Sequence, residues 1–181
     1  MASPLACAIP ADRRDRPLLL PFRSQPASTR LPDGYGLLVQ PEPQVDSLNQ
    51  LLRECGERPR SPMVWTRVIQ MSAWHLVVQD PQGRWVGFIR ATSDRALNAN
   101  LWDLLSLASD PAREQVIKGL VDAGLERLRR ELSGCSISIS APVEAITALR
   151  QAGFAIDPGG IRAMGLSLGE DAARSSDRPL A

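Results

Sequence analysis

The longest regular pattern in the chain lies between residues 112 and 132. Ile117, Leu120, Val121, Gly124, Leu128 and Leu132 recur there at three- and four-residue intervals, with Glu114, Lys118, Glu126 and Arg130 outside the stripe. One apolar face and one charged face predict an amphipathic helix. Ahead of it, residues 84–90 and 99–107 are rich in β-branched, aromatic and aliphatic side chains, which suit mostly buried strands. The corner between strand and helix reads Ala108-Ser109-Asp110-Pro111. Ser109 or Asp110 is expected to cap the helix, with proline at its first position. A strand feeding a helix N-terminus is a place where α/β proteins hold phosphate.

The rest of the chain extends the pattern. Residues 34–40 form a short strand that the Pro41-Glu42-Pro43 run ends. Residues 46–57 predict a helix with Val45, Leu48, Leu51, Leu52 and Cys55 on one face and Asp46 or Ser47 as its cap. Residues 61–72 predict a second helix, starting at Ser61-Pro62, with Met63, Val64, Val68 and Met71 as the apolar side. Residues 74–80 and 84–90 are strands joined by Asp80-Pro81-Gln82-Gly83, whose proline and glycine favour a tight hairpin turn. Ile and Ser alternate over 135–140, predicting a strand with one buried face. A helix follows over 143–151, with Val143, Ile146, Ala148, Leu149 and Ala152 apolar and Gly153 as its stop. Residues 154–156 and 163–168 are expected to close the sheet around the turn Asp157-Pro158-Gly159-Gly160.

Composition narrows the classes. A chain of 181 residues is one domain with tails. Residues 1–30, with prolines at 4, 10, 17, 21 and 26, are expected to be a disordered arm, residues 31–168 the domain, and 169–181 a polar tail. A net charge of +1 argues against a nucleic-acid surface, and no apolar run approaches a membrane span. Cys7, Cys55 and Cys135 are scattered and odd in number, and His75 is the only histidine. That pattern argues against a disulfide framework and a multi-histidine metal centre, and it suits the cytoplasm. Arginine, serine and proline richness near the start leaves plastid targeting open, while Asp12 and Asp15 count against it.

The segment VGFIRATSDRALNANLWDLL, the helix after it and the later GFAIDPGGIRAMGLSL resemble the GNAT superfamily of N-acetyltransferases, in the branch typified by plastid acetyltransferases. The resemblance covers roughly residues 31–168. It implies an α+β fold with a mixed, mostly antiparallel central sheet flanked by helices. It also implies transfer of an acetyl group from acetyl-CoA to an amine of a small molecule or protein.

By that resemblance the acetyl-CoA position falls on Leu105, Leu107, Arg113, Val116 and Lys118. The family's glycine-containing loop lets backbone N–H groups approach the diphosphate. Anchored on Lys118, the matching stretch here is residues 112–117, and it has no glycine. Glu114 and Asp110 add negative charge at this corner, while Arg113 and Lys118 offset it. An ordinary capped helix is the better reading of these residues. The family's general-acid tyrosine, just before Gly153-Phe154, is Leu149 here, which donates no proton. Asp103 stands at the family's W-D position as a candidate base with a pKa raised by partial burial, or as a structural carboxylate bonded to Arg90. His75 and the four tryptophans are read first as packing residues, and Asp94, Arg95, Asn98 and Asn100 as turn chemistry. Two functions stay open: an acyl-CoA-dependent N-acetyltransferase with a divergent cofactor loop and weakened or lost turnover, or a non-catalytic binding module.

Overall fold

The computed structural model describes residues 30–132 and 134–156. The turn expected at Asp157-Pro158-Gly159-Gly160, the strand expected over 163–168, the residues from 169 and those up to 29 lie outside them. In chain order come β1 (Gly36–Val39), α1 (Val45–Glu54), α2 (Pro62–Gln70), β2 (Trp74–Gln79), β3 (Trp85–Ser93), β4 (Asn98–Ser106), α3 (Arg113–Glu131) and β5 (Ser136–Ile139). A 3-10 turn at Val143–Ala145 then leads into α4 (Ile146–Gln151).

The sheet runs β1-β2-β3-β4-β5. Its first three pairings are antiparallel and the β4–β5 pairing is parallel, giving the mixed, mostly antiparallel α+β architecture. The β2–β3 hairpin forms as the turn residues require. Gly83 takes φ +78°, and the Asp80 carboxylate accepts from the backbone N–H of Gln82 and of Arg84 at 3.0 and 2.8 Å.

Strands β2 and β3 read as continuous apolar runs because both faces are covered. On one face α3 crosses so closely that a Cβ on Gly87 would meet Val116 Cγ1 at 2.5 Å, and one on Gly124 would meet Trp74 at 3.3 Å. On the other face Trp65 of α2 packs edge-on against Phe88, with ring centroids 5.9 Å apart. Leu48, Leu51 and Leu52 of α1 complete the core. The buried Asn49 ties the α1–α2 connection down. Its Nδ2 donates to the Arg60 carbonyl, and its Oδ1 accepts from Arg60 N–H and Trp65 Nε1, each at 2.9 Å.

Several local expectations are corrected. Gln44, not Asp46 or Ser47, precedes α1, and no side chain caps it. Ser61 does cap α2, accepting from Val64 N–H, but the buried face of that helix is Trp65 with Val68 and Ile69. Met63, Val64 and Met71 point outward, because the large indole claims the core side. α3 starts at Arg113, so Pro111 lies in the turn before it and no side chain caps it. Val143 is exposed in the 3-10 turn, and residues 154–156 form no strand. Gly153 ends α4 at φ +100° as expected. Among the described residues no helix is long and apolar enough to cross a membrane, and no cluster of three His, Cys, Asp or Glu side chains could hold a metal.

His75 is buried on β2, its Nε2 3.0 Å from the Pro41 carbonyl. Burial pulls its pKa below 6.5, against the bond to Pro41, and the Arg127 charge adds to the pull. A histidine whose folded pKa is depressed contributes stability that is present above the unfolded pKa and lost as pH falls through the folded value. Urea unfolding is therefore expected to weaken below about pH 6.5. The loss should be smaller in His75→Gln; an unchanged pH slope in that variant would count against this origin.

A candidate cofactor cleft between the third and fourth helices

The site is built where the sheet comes apart. In the β3–β4 ladder Phe88 pairs with Leu105 and Arg90 with Trp102, so Ile89 faces two residues, Asp103 and Leu104. That is a β-bulge, and Asp103 sits in it at φ +49°. β5 accompanies β4 only from Asn98 to Leu101. Beyond that point residues 102–106 have no strand on that side among the described residues. At the start of α3, Arg113, Glu114, Ile117 and Lys118 line a cleft of about 330 Å³ together with Glu144, Thr147 and Gln151.

The carboxylate of Asp103 is held from two sides. Arg90 Nε donates to it at 2.5 Å and Arg60 Nη2 at 3.0 Å. Burial raises its pKa, but the bonds from Arg60 and Arg90 and their charges outweigh burial and hold it below 3.8. The raised value expected from the sequence is thereby reversed. Each guanidinium also lies over an indole, Arg60 over Trp65 and Arg90 over Trp102. Trp65, Trp74 and Trp85 belong to the core, whereas Trp102 is partly exposed beside the bulge, its Nε1 donating to Thr92. Asp94 accepts from the amides of Ala96, Leu97 and Asn98 in the β3–β4 turn, as its sequence context suggests.

At the α3 corner the negative charge is already engaged. Asp110 is buried, accepting from the Ala112 amide at 2.8 Å and from the Tyr35 hydroxyl at 3.1 and 3.2 Å. Glu54 of α1 accepts from the Ser109 hydroxyl at 3.1 Å, and the Cys55 thiol donates to the Ser106 carbonyl at 3.6 Å. Burial pushes the Cys55 thiol up.

Of the residues assigned by resemblance to the cofactor, Leu105, Leu107 and Val116 are buried, with Val116 under Gly87. The Val116 amide bonds to the Ala112 carbonyl at 2.9 Å. Arg113 and Lys118 do line the cleft, Arg113 paired with Glu144 and Lys118 with Asp122 at 3.2 Å. Leu149 is buried in α4.

Sequence reasoning missed Tyr35, Arg60 and Glu144. Nothing local marks them, since each reaches its partner across 31 to 75 residues of chain.

No family model matches the chain. Curated relatives do. It is 38% identical over 86 residues to the histone acetyltransferase TAP1 of Glycine max, covering 46% of this chain and 35% of that protein. It is 39% identical over 82 residues to the chloroplastic GCN5-related N-acetyltransferase 2 of Arabidopsis thaliana, covering 44% of this chain and 30% of the relative. It is 35% identical over 86 residues to the uncharacterized N-acetyltransferase ycf52 of Porphyra purpurea, covering 47% and 48%. The matches thus take in less than half of each relative's length. Among solved structures, a probable acetyltransferase of Staphylococcus aureus superposes with TM-score 0.65 at 13% identity, over 74% of this chain and 98% of that one. A GNAT family protein of Streptococcus pneumoniae gives 0.57 at 14% identity, over 75% and 98%. The fold is that of the GNAT acetyltransferases. The chain itself is acetyltransferase-like, similar in sequence to plant and algal proteins of that name.

A diphosphate-bearing cofactor can be tested against this corner. Among the described residues the amides of Glu114 and Gln115 make no backbone hydrogen bond, and Arg113, Glu114 and Lys118 line the cleft. That donor set fits a diphosphate, with fewer backbone donors than a glycine loop would present.

Two substitutions test the local chemistry. Tyr35→Phe leaves the buried Asp110 one donor short and is expected to cost about 1 kcal/mol by urea unfolding. Asp103→Asn leaves two largely covered guanidiniums without a counter-charge, with an expected loss of about 3 kcal/mol. Because the folded pKa of Asp103 is depressed, the wild-type advantage should be full above about pH 4 and vanish as pH falls further.

Proposed function

We propose that this chain is a GNAT-type N-acetyltransferase-like protein that retains a weak acetyl-CoA cleft and turns over slowly or not at all. The observation that carries this reading is the glycine-free start of α3, where Val116 is committed to the core and Arg113 to Glu144. The acceptor in this reading is an amine of a small molecule or protein. When bound, acetyl-CoA would supply the activated acyl group. Arg113, Lys118 and the amides of Glu114 and Gln115 would hold its phosphates. The bulge at Asp103 and Leu104 turns backbone groups of β4 out of the β3 ladder, and these are the groups on hand to orient a carbonyl.

Two features argue for slow chemistry. Leu149 has no proton to give a departing thiolate. Asp103, tied to Arg60 and Arg90 with its pKa held down, is a poor base, so an acceptor amine has to arrive neutral or lose its proton to water. The same two features favour the second reading, a GNAT-fold binding module without turnover. We place the protein in the cytoplasm, with the plastid as the alternative suggested by the chloroplastic relative; a fluorescent fusion separates the two.

Isothermal calorimetry with acetyl-CoA is the test. The expected dissociation constant is on the order of 10⁻⁴ M or weaker. Adenosine alone should give no heat. Low-micromolar binding would overturn the weak-cleft reading. Rapid CoA release in the presence of amines would overturn the slow-turnover reading as well.

A further inference from the structure

The Arg113–Glu144 ion pair bridges the two walls of the cleft. Arg113 is in the first turn of α3, and Glu144 is in the 3-10 turn that enters α4. Both line the cleft, and the carboxylate bonds to Arg113 Nη2. A carboxylate on a guanidinium occupies the place and the bonding geometry that a phosphate oxygen would use. Arg113 Nε, meanwhile, is buried without a hydrogen-bond partner. Nε and Nη2 form one edge of the guanidinium, so the Glu144 carboxylate leaves half of that edge unsatisfied, where an anion with two oxygens could engage both N–H groups.

The charges facing this pair are specific. Glu114 and Lys118 line the same cleft, and Lys118 is itself paired with Asp122. Arg113, Lys118, Glu114 and Glu144 therefore sum to zero in the cleft, and Asp122 lies just behind. Removing Glu144 alone would make the cleft net positive.

We propose that Glu144 is a specificity-determining residue: an internal competitor that occupies Arg113 and admits only a ligand with enough negative charge to displace it. This rests on the cofactor cleft proposed above. A diphosphate, with several charges and several oxygens, can displace one carboxylate from a half-exposed pair, whereas a neutral thioester has no means to do so. Glu144 thus sets the threshold of charge at which the cleft opens.

The experiment compares the full chain with Glu144→Gln by calorimetry, using CoA and the phosphate-free acetyl-pantetheine as probes. Glu144→Gln is expected to tighten CoA about two- to fivefold and to leave acetyl-pantetheine unchanged. Adding Arg113→Gln to the Glu144→Gln protein should cancel the gain. Equal CoA affinity in wild type and Glu144→Gln overturns the competitor role while leaving the cofactor cleft standing. An equal gain for acetyl-pantetheine also overturns it, because the effect would then not be one of charge. Absence of CoA heat from either protein, with both shown folded by circular dichroism, overturns the competitor and the cofactor cleft together.

Discussion

The contact on which the architecture depends is the crossing of α3 over β3 at Gly87. Val116 and Leu120 of the helix approach the strand to a distance that only a residue without a side chain permits. This fixes the depth of α3 on the sheet and, with it, the position of the helix start relative to β4. The cost falls on the same turn that faces the cleft. Val116 has to be a bulky core residue, so this position packs the interior instead of presenting open backbone to an anion. Core packing commits Val116 on this turn of helix, and in the reading proposed above it leaves fewer backbone groups for a phosphate.

The second organising feature is the parting of β4 and β5. An antiparallel neighbour could follow β4 along its length, but β5 runs parallel and stays only as far as Leu101. The bulge at Asp103 bends β4 just past that point. Its unusual backbone angle is held by two arginines from different elements, one on β3 and one on the α1–α2 connection. The bulge thus carries an ion-pair network as well as a distorted strand.

The elements with strong local signals were legible from the chain alone. The turn at residues 80–83 carries its proline, glycine and aspartate in the order a tight turn needs, and the α3 stripe repeats over about four turns. The pattern alone ranks Met and Val with Trp on the apolar face of α2, whereas the packing of Trp65 against Phe88 takes the core side. The site was half legible. Arg113 and Lys118 face the cleft, but nothing near Asp110 in sequence announces Tyr35, and nothing near Arg113 announces Glu144. Asp103 shows the same limit. Partial burial suggests a raised pKa, whereas Arg90 on the neighbouring strand and Arg60, 43 residues away, together lower it. Long-range pairs of charges have no periodic trace, so no pattern along the chain could reveal them.

Asn49 has one more implication. Its amide satisfies both backbone groups of Arg60 and the indole N–H of Trp65, so the loop that carries Arg60 to the bulge is ordered when the protein folds. A molecule arriving beside Trp102 and Asp103 meets a wall already set in shape and charge and spends little binding energy on ordering that loop. The entropy of arranging the wall is spent before any encounter, so one buried amide links folding stability to the shape of this side of the sheet.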